Sequence, residues 1–197
     1  MRNPKVVKLV KMALLCAMSL ALMYLVRFPL ILPYLESDMA DVPILIGAFL
    51  YGPLAGLTLT SIVCFLQAVT VSSGSGWIGG AMHFFATGAF VIVAGLLYRR
   101  RHTLRGALEG LVAGSLAMIA VMVPLNYYIS PLFFAGSAMS YEEAQALVWS
   151  IIWSFVAFNA AKAGINSAVT YLIYKPVSKL FKKEFHLRKK ENGSVPE

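Results

Sequence analysis

Lys162 stands near the middle of an apolar run, 147–174, with Asn159 three residues before it and Asn166 four residues after it. On a helix these spacings place two carboxamides and an ammonium on one face. An ionisable group at membrane depth costs at least a few kcal/mol and faces a bundle interior or a polar cavity. Lys162 lies about a dozen residues from either end of its run, too far to snorkel easily. Two chemistries fit. The three side chains could form a buried polar network that locks helix packing, or a ligand site offering amide and ammonium donors. In the second case the ligand, with Asn159 and Asn126, completes the hydrogen bonding of Lys162. Lys162→Met should then weaken binding by about 1.5–3 kcal/mol, the range for a lost charge-assisted hydrogen bond. It should leave the empty protein equally or more stable, since a desolvated cation is gone.

Other polar side chains could join such a site. Asn126 falls near the outer end of one apolar run, where it can equally cap a helix. His83 falls one turn into another, where a packing histidine is the simpler reading. Asp41 heads "DVP", a helix-capping position with Pro43 in the first turn. Phe28, Tyr34, Trp77, Phe84, Tyr127, Tyr128, Trp149 and Trp153 read mostly as interfacial belts, and some could sandwich a flat ligand.

What is missing narrows the chemistry. There is no G-x-x-x-x-G-K-[ST] phosphate loop, and "GSGWIGG" reads as a loop between helices. No serine–histidine or metal-hydrolase arrangement appears, and the three histidines lack metal-ligand spacing. Acidic residues are nearly absent from the predicted membrane interior, with Glu109 expected to pair with Arg105 at i,i+4. A proton relay would need buried carboxylates. The reading is a binder that draws its energy from elsewhere: no enzyme, no cofactor, no metal.

The elements that must position these residues follow from composition. Of 197 residues, 59% are hydrophobic and 13% charged, with a mean hydropathy of +0.73. So few charges cannot cover a soluble domain, and several runs reach the roughly 18–20 residues that cross a bilayer. The fold expected is all-α: a polytopic membrane protein with six transmembrane helices in one bundle over 1–175, followed by a basic cytoplasmic tail over 176–197. Five apolar runs appear, 9–32, 42–71, 77–98, 106–130 and 147–174. The second is too long for one span and contains Gly52 and Pro53, a breaker pair that divides it.

Charge supports the division. Lys5, Lys8 and Lys11, then Arg99, Arg100, Arg101 and Arg105, then the tail from Lys175 to Lys190 form three basic clusters. An even number of spans puts all three, and both termini, on the cytoplasmic side. The acidic loops 33–41 and 131–146 are then external. The net charge of +8 therefore does not signal nucleic acid. Residues 1–21 are expected to be retained, although a cleaved signal peptide is the rival reading. Cys16 and Cys64 read as small core residues. Ala13, Ala17 and Ala21, and likewise Gly106, Gly110 and Gly114, recur at four-residue spacing and permit close helix approach. The glycine series is expected inside the bundle; the alanine series could serve the bundle or a separate membrane protein.

Four segments carry a family resemblance: "SDMADVPILIGAFLYGPLAGL" from Ser37, "GWIGGAMHFFATG" from Gly76, "NYYISPLF" from Asn126 and "FNAAKAG" from Phe158. The chain resembles the substrate-binding subunit (S component) of energy-coupling factor (ECF) transporters, and within that family the riboflavin-specific type. The resemblance implies a bundle whose external half holds one vitamin, with a membrane-spanning T component and two cytosolic ATPases as partners. It implies that Asn126, Asn159 and Lys162 bind the vitamin, that Asp41 and the external loop close over it, and that Ala13, Ala17 and Ala21 dock on the T component. His83 stands where the family usually has asparagine, which leaves that contact open, and Ala157 where a proline is common. The ligand implied is riboflavin, with FMN or other flavins as further candidates. Carboxamides match the donor–acceptor edge of a flavin, and an ammonium matches its ribityl hydroxyls. An S component for another vitamin, a structural membrane protein of an envelope assembly, and an intramembrane enzyme are the alternatives in descending order.

Overall fold

The computed structural model describes residues 3–70, 76–135 and 139–192, with the side chains of residues 4, 32, 34 and 177–192 outside that description. Helix α1 (Pro4–Leu25) starts on Asn3, whose side chain accepts from the Lys5 amide, with Pro4 in the first turn. It ends seven residues short of the apolar run that predicted it. Pro29 cannot continue a helix, because it lacks an amide donor and clashes with the preceding turn. The chain instead forms an antiparallel hairpin of β1 (Arg27–Leu30) and β2 (Leu32–Asp38), pairing Arg27 with Asp38 and Pro29 with Glu36. Ile31, at φ 68°, makes the reversal. The all-α expectation is corrected here: an apolar tail and an acidic loop are two strands of one ribbon.

Helix α2 (Asp41–Tyr51) and α3 (Pro53–Thr70) break where Gly52 and Pro53 predict. Gly52 adopts φ 95°, open to glycine at no steric cost, and its amide caps the Ala48 carbonyl. Then follow α4 (Gly76–Arg101), α5 (Leu104–Ile129), the single turn α6 (Pro131–Phe134), α7 (Tyr141–Ser150) and α8 (Ile152–Asn192). "GWIGG" is thus the first turns of α4 and not a loop, while Gly74 and Ser75 before it lie outside the described residues. The predicted loop 131–146 likewise holds α6 and the start of α7. Ser140 and Glu143 form a reciprocal capping box that starts α7.

Among the described residues, four helices are long and apolar enough to cross a bilayer, and a fifth crossing results if α7 and α8, bent by 61°, act as one. The protein is mostly helical, with four to five candidate spans. Helix α2 is about 16 Å long, roughly half a hydrocarbon core. It is nonetheless the most enclosed element, buried from Asp41 to Phe49. Ile44 and Leu45 of α2 share one core with Leu59 and Val63 of α3, Phe90 and Val91 of α4, and Leu111 and Met118 of α5. Cys16 and Cys64 are buried and not joined to each other, and Cys64 lies against His83. At the end of the bundle away from the hairpin, the Tyr98 and Tyr174 hydroxyls bond to each other beneath Phe49. Glu109 pairs with Arg101 across the α4–α5 turn, at 2.7 and 2.8 Å, and not with Arg105 as i,i+4 spacing suggested.

The two small-residue series part company. A Cβ on Gly110 would sit 2.7 Å from the Ala94 carbonyl oxygen, and one on Gly114 would sit 2.5 Å from the Phe90 ring. Those glycines let α4 and α5 touch backbone to backbone. Ala13, Ala17 and Ala21 face outward from α1, beside exposed Val10, Leu14 and Met18. Gly110→Val should lower the melting temperature in detergent, by the equivalent of about 1–3 kcal/mol of overpacking. An unchanged melting curve would show that α5 can move away without loss.

Candidate ligand-binding site

Asp41 does not cap its helix. Its carboxylate is fully buried and turns inward. One oxygen accepts from the Thr87 hydroxyl at 2.8 Å and lies 3.1 Å from His83 Nε2; the other accepts from Asn166 Nδ2 at 3.0 Å. His83 Nδ1 in turn contacts Gln67 Oε1. One acid therefore ties α2 to α4 and α8, and through His83 to α3. A buried carboxylate is tolerable only when its lone pairs are met in this way.

Asp38, at the end of β2, turns the chain into α2 through an Asx turn, one carboxylate oxygen accepting from the Ala40 amide at 2.9 Å. The other accepts from Lys162 Nζ at 2.9 Å, and both side chains are nearly buried. The acids that patterning assigned to an external loop are the counter-ions of the interior. This corrects the view of an interior nearly free of carboxylates, and adds Asp38 to the partners expected for Lys162. Arg27 pairs with Glu36 across the hairpin.

Beneath the hairpin lies a cavity of about 590 Å³, within the roughly 300–1,000 Å³ of small-molecule sites. His83, Asn126, Asn159 and Lys162 all line it, while Asp41 and Asn166 stand behind the wall. Asn159 donates to the Phe155 carbonyl, and Asn126 donates to the Met122 carbonyl while accepting from the Ser130 hydroxyl. A carboxamide nitrogen carries two hydrogens, so each is oriented by its own helix and keeps a donor.

The sequence reading did not name Asp38, Gln67, Ser130 or the phenylalanines of the cavity. Trp77, Tyr128, Trp149 and Trp153 point outward, between 60% and 78% exposed, as belt residues. The cavity is walled instead by Phe133, Phe134, Phe155 and Phe158, with Met82, Met118 and Met122. The signal for Asp38 was present: a buried ammonium needs a carboxylate, and "SDMAD" offers two at the edge of an apolar run. Among the described residues no group of acids, histidines and cysteines could hold a metal.

A vitamin-sized cavity inside a helical membrane protein, with fixed amide and ammonium donors over phenylalanines, defines a membrane-embedded receptor for a small organic ligand. The chain belongs to the substrate-specific components of ECF transporters, whose family model matches residues 7–174. It is similar to the riboflavin transporter FmnP of Bacillus subtilis (strain 168), at 32% identity over 176 residues, 86% of this chain and 91% of that protein. It is also similar to the riboflavin transporter RibU of Staphylococcus aureus (strain TCH60), at 26% identity, covering 89% and 93%. A solved S component of a bacterial ECF transporter shares the fold at TM-score 0.75 and 25% identity, covering 90% of this chain and 99% of that one. As a member of this family the chain is a transport subunit and not an enzyme.

The Asp38–Lys162 pair reverses the stability expected from the sequence. Lys162→Met alone strands a buried carboxylate and should destabilise the empty protein by about 3–5 kcal/mol. Asp38→Asn combined with Lys162→Met should recover most of that loss. Melting curves in detergent for both single variants and the double complete the cycle; additive losses would mean that the two side chains are not coupled.

Proposed function

We propose that this protein is the riboflavin-binding S component of an ECF-type importer. It captures the vitamin on the external side and passes it through a T component driven by two cytosolic ATPases. The observation that carries the reading is the shared wall of Asn126, Asn159 and Lys162 over a phenylalanine-lined cavity. The names of the FmnP and RibU relatives, both riboflavin transporters, support riboflavin as the vitamin. Amides meet the pyrimidine-like edge, Lys162 meets the ribityl hydroxyls, and the ring lies against Phe155 or Phe158. Riboflavin is cargo and not a cofactor. In this reading α2, though short, completes six membrane-embedded helices in one bundle, and the hairpin covers the occupied site.

The purified protein should quench flavin fluorescence saturably and carry flavin absorbance when isolated from riboflavin-fed cells. No quenching at micromolar protein, with another vitamin stabilising the fold, would reassign the ligand. The outward alanine strip supports docking on the T component. Ala17→Leu should leave riboflavin binding by the isolated subunit intact and abolish uptake in cells. Loss of both together would make the strip part of the fold and not of the coupling surface.

The orientation follows from charge: both termini and residues 99–105 face the cytoplasm, while 33–41 and 131–146 face outward. In a background lacking Cys16 and Cys64, an impermeant thiol reagent applied to intact cells should label Glu142→Cys and spare Arg100→Cys. The opposite pattern would invert the topology.

A further inference from the structure

Arg27, Glu36, Asp38 and Lys162 are the Asp, Glu, Lys and Arg side chains lining the cavity among the described residues, and they form two ion pairs. Behind the wall, Asp41 faces His83. The site holds its own counter-charges. We propose that Asp38 is a specificity-determining residue: by cancelling the charge of Lys162 it makes the cavity select the uncharged flavin over its anionic phosphate ester. This rests on the flavin reading above and deepens it.

The physical case begins with donor arithmetic. The ammonium has three N–H donors. Asp38 takes one at 2.9 Å, and the others remain for neutral hydroxyls without disturbing the pair. A phosphate monoester instead brings a charge of about −1.5 to −2 into a cavity walled by phenylalanine and methionine, where fields are weakly screened. To neutralise it, Lys162 would have to leave Asp38, stranding a buried carboxylate beside a second anion, or Arg27 would have to leave Glu36 in the hairpin. Asp38 is poorly placed to move away, since its other oxygen holds the Ala40 amide and its backbone pairs with Arg27. The discrimination therefore resides in a residue that need not touch the ligand.

The test is a selectivity ratio, the Kd for flavin mononucleotide divided by the Kd for riboflavin, read by fluorescence quenching. The pair carries net charge 0 in the wild type, +1 in Asp38→Asn, −1 in Lys162→Met and 0 in the double variant. The ratio should fall by about tenfold or more in Asp38→Asn, rise by a similar factor in Lys162→Met, and return near the wild-type value in the double. A substitution that merely loosens the site weakens both flavins in parallel and leaves the ratio unmoved, and a ratio indifferent to the charge of the pair overturns the proposal. Should Asp38→Asn fail to fold, Lys162→Met against the double isolates the same carboxylate; should Lys162→Met fail, Asp38→Asn against the wild type does so. Wild-type protein that binds neither flavin refutes the flavin reading first, before any variant is made, and this proposal with it.

Discussion

A carboxylate sealed from solvent at the head of an 11-residue helix is the constraint around which the membrane domain is arranged. Asp41 cannot remain charged in that position unless Thr87, His83 and Asn166 come to it, and they come from two different helices. Meeting that demand fixes the rotation of α4 and α8 about α2. Once those rotations are set, Asn159 and Lys162, on the same face as Asn166, point into the space beneath the hairpin. The polar wall of the cavity is a by-product of satisfying one acid.

The second ion pair extends the logic outward. Asp38 lies three residues before Asp41, so the chain that leaves the hairpin delivers one carboxylate to the wall and one to the centre. Glycine contacts between α4 and α5 supply the backbone proximity of the two helices that carry His83 and Asn126. Polar satisfaction thus sets orientation, and small residues set distance. Neither alone would build the cavity.

Much of this was legible in the sequence. The breaker pair at Gly52 and Pro53, the depth of Lys162 and the stripe it shares with Asn159 and Asn166 rest on local rules of helix geometry, and these hold in lipid as in water. The hairpin was hidden because Phe28, Leu30 and Leu32 extend an apolar run without a gap; only Pro29 and Pro33 marked the change. The inward turn of Asp38 and Asp41 was hidden because patterning ranks charge by nearness to a loop, whereas both answer to partners 124 and 125 residues away. The pocket phenylalanines carry no local mark at all. Phe133 and Phe155 differ from belt aromatics only in which way a finished bundle turns them.

The hairpin has a further consequence through its prolines. A ribbon of only two strands has both outer edges unpaired, and such edges recruit strands from other chains. Pro29 in β1 and Pro33 in β2 each lack the amide hydrogen that strand pairing uses. Arg27 and Glu36 add exposed charge on the same ribbon. The hairpin over the cavity is thereby kept from zipping onto strands of its neighbours.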